Sequence, residues 1–312
     1  PLFTFFMMIG VLGCAALSIP KTWLMFLIIF VIAKVGYNAS LIFYDSMLVD
    51  ITDHDRMDVV SSYGYAWGYI GSCVPFVISL VFVLMYEKIG ITIGMAMMLA
   101  FFLNAAWWFL VTIPLLKKYK QVNYAQMPTH PVRDSFRRLI NTLKDIKAEK
   151  NIFLYLLSFF FFIDGVYTII EMATAYGSAL GLDSTGLLLA LLVTQIVAFP
   201  CALIFARCSK KYETDLLIKI CIAAYTGIAL FAIQLDKWEF WLLAVLVGMF
   251  QGAIQALSRS YFAKIIPAEK AGEYFGIYDI CGKGASFLGT TLVGVIAQLT
   301  NVANAGVAMI TV

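Results

Sequence analysis

An all-α, polytopic membrane bundle is predicted by three observations. Of the 312 residues, 62% are hydrophobic and only 13% charged, with a mean hydropathy of +0.88, whereas a soluble domain carries roughly 25% charge. Apolar runs of about 20 residues, long enough to cross a hydrocarbon core of about 30 Å, succeed one another along the chain. Lys and Arg gather in alternate loops. Hydropathy read against breaks of Pro, Gly and charge predicts spans at 1–19, 22–49, 61–86, 91–114, 151–178, 184–206, 215–234, 238–262 and 272–299, with a tenth beginning near Val302.

The first span opens at Pro1 with no basic region ahead of it, so no signal peptide is recognisable and the chain is expected to be a fragment. Span 22–49 carries Lys34 and, one turn on, Asn38. Span 61–86 begins with the polar run SSYGYAWGYIGS, in which Gly64, Gly68 and Gly71 have the spacing of close helix packing. Spans 1–19 and 91–114 have no charge, and 215–234 has Lys219, near its start, as its only basic residue, so these three are expected at the lipid-facing periphery.

Segment 115–150 is the long polar region. Within it, PVRDSFRRLINTLKDIKAEK places Phe136, Leu139, Ile140, Leu143 and Ile146 on one helical face and Arg137, Arg138, Lys144 and Lys147 on others. Two readings stand: an amphipathic helix at the cytoplasmic membrane surface, or a solvated linker helix.

Span 151–178 contains FFFFIDGVYTIIEMATAYG, which sets Asp164 and Glu171 in an apolar run. Span 238–262 contributes Gln251 and Gln255, and Arg259 close enough to the cytoplasmic end to act as a snorkelling anchor. Asp279 and Lys283, four apart on span 272–299, can neutralise each other as a structural or gating ion pair. Charges in hydrocarbon cost about 2.5–3.5 kcal/mol each and turn toward an interior or a water-filled cavity. Lys34, Asn38, Asp164, Glu171, Gln251 and Gln255 are therefore the candidate solute or proton pathway. At 1.5 Å per residue, Lys34 and Asp164 lie about 18 and 20 Å into their helices, both near the midplane. Structural pairing of the two is the competing reading.

Orientation follows from the loops. Segments 50–60, 115–150, 207–214 and 263–271 hold 15 Lys or Arg, and the opposite side holds only Lys21, Lys88 and Lys237. The first set is therefore cytoplasmic. The net charge of +3 reflects this topology and does not point to nucleic acid. Cys14, Cys73, Cys201, Cys208, Cys221 and Cys281 form no CxxC and sit in or beside apolar spans, so neither disulfide nor metal is expected. His54 and His130 are loop residues without ligand partners nearby. No enzymatic pattern survives inspection: ICGKGAS lacks the Gly spacing and the Ser or Thr of a phosphate-binding loop, and no HExxH occurs. No cofactor is expected.

A shift of 214 positions lays YDSMLVDITDHDRMDVVSSYGYAWGYIGS, from Tyr44, over SRSYFAKIIPAEKAGEYFGIYDICGKGAS, from Ser258. Six crossings separate the two loops, so both face one side, as in a parallel duplication of six-helix halves. The expected domains are 1–114, the last four helices of the first half; 115–150, the linker; and 151–312, the second half with its last helix truncated. By the same register two helices are expected ahead of Pro1, leaving about ten of twelve here.

Two six-helix halves joined by a basic loop resemble the major facilitator superfamily. FARCSKKYETD stands where that superfamily has Gly-x-x-x-Asp-Arg-x-Gly-Arg-Arg, with Lys210 at the acidic position and Lys211 agreeing. FYDSMLVDI (43–51), SSYGYAWGYIGS (61–72), IDGVYTII (163–170) and FGIYDICGKGASFLG (275–289) together resemble the bacterial branch of the family that includes the fungal vacuolar amino-acid effluxer. The resemblance covers the chain and implies a secondary active transporter, a monomeric multi-pass protein of the cell membrane that is not an enzyme. It would carry a small polar solute, amino acids or peptides among the candidates, with protons as the candidate coupling ion. A lipid or drug exporter of the same fold, or a non-transporting sensor or scaffold, are the alternatives.

Overall fold

The computed structural model describes residues 1–20, 22–123, 131–233 and 235–300. Lys21, His130 and the span expected from Val302 lie outside the described residues, as does the side chain of Phe136. Within them the chain forms α1 (Leu2–Ala16), α2 (Trp23–Ser46), α3 (Met57–Leu84), α4 (Ile93–Lys118), α5 (Pro131–Ala148), α6 (Lys150–Ala179), α7 (Ser184–Cys208), α8 (Thr214–Ala232), α9 (Glu239–Ile265) and α10 (Ala271–Thr300). Eight of these stretches are long and apolar enough to cross a membrane; α1, at 15 residues, is a shorter apolar helix. Hydroxyl and carboxylate caps start several of them: Thr22, Thr92 and Asp183 accept from the amides of Met25, Met95 and Gly186.

The repeat register is visible in the local geometry. A 3₁₀ turn at His54–Arg56 precedes α3, and a second at Ala268–Lys270 precedes α10, 214 positions later at each boundary. The helical turn Leu48–Ile51 ends, in the same register, where α9 ends at Ile265.

Two compact units make up the chain: residues 1–51 with 71–122, and residues 52–70 with 123–312. In the first, α1 packs on α2 and α4. Met7 and Val11 bury against Ala105 of α4, and Trp108 covers this cluster. Gly10 of α1 and Gly36 of α2 face each other so closely that a Cβ on Gly36 would lie 2.5 Å from the Gly10 amide nitrogen. Asn104 donates to Ser79 at 3.0 Å, and Tyr119, beyond the end of α4, bonds Asp50. Burial, and then that bond, hold the Tyr119 phenol above its ordinary pKa.

In the second unit α9 is the most buried helix. Its small residues admit neighbours: a Cβ on Gly248 would meet the Thr194 carbonyl of α7, and one on Gly252 would meet the Tyr69 ring. An aromatic cluster joins α6, α9 and α10, with Phe159 and Phe262 stacked on Tyr278 at 4.1 and 4.9 Å. Of the four phenylalanines before Asp164, Phe159 is thus core, while Phe161 is exposed. The peripheral expectation for α8 holds for one side only: Leu216, Ile220 and Leu230 are exposed, but Leu217, Cys221, Tyr225 and Ile228 are buried. Lys219 is exposed and pairs with Asp215 at 2.9 Å.

Candidate functional site

The polar side chains of the second unit fall into two groups. The first is a seam between the opening turns of α3 and the last turns of α9. Asp58 is 4% exposed and pairs with Lys264 at 2.5 Å. Ser260 donates to its other oxygen at 2.6 Å, and Thr214, at the start of α8, donates at 2.6 Å to the oxygen that Lys264 holds. One turn deeper, Arg259 donates to the Ser61 hydroxyl at 3.0 Å and the Ser61 carbonyl at 3.2 Å, and its guanidinium lies 4.8 Å from the centre of the Tyr65 ring. Ser61 in turn donates to the Ala256 carbonyl, and Tyr69 donates to Gln255 at 3.0 Å.

This seam corrects three sequence expectations. Arg259 is no snorkelling anchor: at 4% exposure it is as buried as Asp58. Lys264 and Asp58 are not loop charges, because α9 runs on to Ile265 and α3 begins at Met57. Burial of a charge is tolerated when an opposite charge and hydrogen bonds replace water, and here they do. Gly68 and Gly71 are not helix-packing contacts either, since a Cβ at each would meet open space. In the 214-position register Arg259 and Lys264 fall over Asp45 and Asp50, so the repeat carries no signal that pairs them with Ser61 and Asp58.

The second group lies along α6 and α10. Asp164 sits at the middle of α6, half-buried, and accepts from Thr168 one turn later at 3.3 Å. Its carboxyl rests on Gly289 of α10, where a Cβ would come within 2.2 Å of Oδ1. Two turns on, exposed Glu171 accepts from buried Ser286 of α10 at 2.7 Å. Among the described residues neither carboxylate has a cationic partner. Asp279 and Lys283 of α10 pair at 2.5 Å, both partly exposed.

Beside α6 lies a cavity of about 80 Å³ bounded by α6, α7 and α9, including Ile169, Leu187, Phe240 and Val247. Gln251 borders it and is 8% exposed. The Gln195 side-chain oxygen, also at this cavity, is buried and unpartnered. Of the residues singled out from sequence, Asp164, Glu171, Gln251, Gln255, Asp279 and Lys283 all belong to this unit. Lys34 and Asn38 belong to the first, where Lys34 is exposed, with its ammonium 5.6 Å from the centre of the Tyr37 ring. The described residues include no cluster of His, Cys, Asp or Glu able to hold a metal.

Comparison with known proteins agrees with the helical architecture. Residues 1–312 match the family described as "Vacuole effluxer Atg22 like". An MFS-type transporter of Bacillus subtilis, YxiO, is 44% identical over 303 residues, covering 96% of this chain and 71% of its own. Autophagy-related protein 22-1 of Penicillium rubens is 25% identical over 270 residues, 77% of this chain. The chain spans under half the length of that fungal relative, 44%. Among solved structures, the E. coli fucose:proton symporter FucP superposes with a TM-score of 0.69 at 12% identity, covering 99% of this chain and 80% of FucP. The human organic anion transporter MFSD10 gives 0.65 at 13% identity, covering 99% of this chain and 74% of its own. The fold is that of major facilitator transporters, and the chain belongs to the vacuole effluxer Atg22-like family.

Proposed function

We propose that this chain forms the greater part of a secondary active permease that moves a small polar solute across the cell membrane by alternating access, and that Asp164 lies on the solute or proton path. The observation that carries this is the setting of Asp164: a half-buried carboxylate midway along a membrane-crossing helix, bonded to a neutral hydroxyl and backed by Gly289. A carboxylate kept without a counter-charge in hydrocarbon is costly unless a cationic solute group or a proton meets it. The Gln195 oxygen adds to this, because a buried polar group without a partner costs about 1–3 kcal/mol, which a bound solute would offset.

Residues 1–114 and 151–312 act as the two moving halves. Amino acids and peptides are the first solutes to test, since their amino group would suit the carboxylate at Asp164. Uptake into proteoliposomes by the full-length protein tests the assignment. Loss in both Lys34→Ala and Asp164→Asn is expected, and unchanged transport in both would remove these residues from the path. Transport that persists with the pH gradient collapsed would overturn proton coupling.

A further inference from the structure

We propose that the outward face of α5 binds the anionic lipid headgroups of the cytoplasmic leaflet. The sequence leaves open whether this helix is interfacial or a solvated linker, and its contacts separate its two faces. On one side Thr142 and Ile146 are buried, Thr142 donates to Glu273 at the start of α10 at 2.5 Å, and Asp145 accepts from Lys270 at 2.8 Å. On the other side Ile140 and Leu143 remain 53% and 49% exposed. Arg133, Arg137, Lys144 and Lys147 surround them, all exposed.

At 100° per residue these six positions fall within about one third of the helix circumference. No acid shares that sector: Asp145 is engaged with Lys270, and Asp134 lies beyond the sector edge, half-buried. A face that combines aliphatic side chains with four cations and no anion is complementary to a lipid surface, which offers acyl chains and negative headgroups together. Connectivity sets the height of the helix. Only Glu149 separates Ala148, the end of α5, from Lys150, the start of membrane-crossing α6. The bonds to Lys270 and Glu273 fix α5 at the mouth of α10 as well. The unpartnered face is thereby held at the level of the headgroups.

Amide exchange across residues 133–148 tests this in the full-length protein held in nanodiscs of phosphatidylcholine alone or mixed with phosphatidylglycerol. Exchange about tenfold slower in the mixed lipid is expected, with the difference shrinking at high salt. Combined Arg133→Gln, Arg137→Gln, Lys144→Gln and Lys147→Gln should abolish the difference while exchange in α10 stays unchanged. Ile140→Ser with Leu143→Ser should reduce it without touching a charge. Equal exchange of the unaltered protein in both lipids overturns the proposal, as does a lipid effect that survives the fourfold Gln variant.

Discussion

The α3–α9 seam and the α6–α10 face both place carboxylates inside apolar helices, yet they satisfy them in opposite ways. In the seam, Asp58 has a lysine and two hydroxyls, and Arg259 has two oxygens and a ring face, with almost no exposure. Along α6, Asp164 and Glu171 have one neutral hydroxyl each and remain partly open. A fully compensated buried charge holds a structure together, whereas an undercompensated one retains free energy to exchange with a ligand or proton. The seam accordingly fastens α3, α8 and α9 together, whereas the carboxylates of the α6–α10 face keep unmet charge.

The sharpest way to break that contrast is Asp58→Ala, which leaves Lys264 buried without its counter-charge. A loss of about 3–5 kcal/mol is expected, read as a lower Tm of the purified protein. Removing Lys264 as well should recover part of it, and full additivity of the two would mean the pair is not coupled. Next in size is Gly289→Val, which forces a side chain into the space of the Asp164 carboxyl. We expect about 1–3 kcal/mol of destabilisation, relieved by adding Asp164→Ala; a Tm insensitive to that second change would disprove the contact.

Glu171→Gln should cost less, about 0.5–1.5 kcal/mol, because the amide still accepts from Ser286. If Glu171 is a rim group, uptake falls far less than in Asp164→Asn, and equal losses would erase the distinction between them. Smallest is Lys283→Gln, about 0.3–0.5 kcal/mol for a partly exposed pair four residues apart. A Tm change of several degrees there would show that the pair fastens α10 as firmly as Asp58 fastens α9.

The sequence alone determined the class of the molecule and the path of its chain. Hydropathy over some 20 residues reports the bilayer directly, because each membrane helix satisfies its own backbone bonds and needs no knowledge of its neighbours. The repeat was legible for a related reason: a loop register of 214 positions reappears as 3₁₀ turns at His54–Arg56 and Ala268–Lys270. Lys219 and the pair Asp279 with Lys283 were also within reach, since i to i+4 partners lie on one helix.

Only the tertiary structure decided the fate of Asp58, Arg259 and Lys264. Distance from a helix end predicts access to water only if nothing packs against that end, and here α3, α8 and α9 close over the charges. The same holds for Gly289, whose missing side chain matters because Asp164 of another helix occupies its place. Partners supplied by distant segments, up to 206 residues away for Asp58 and Lys264, leave no periodic trace in the sequence, and burial of charge is set by such partners.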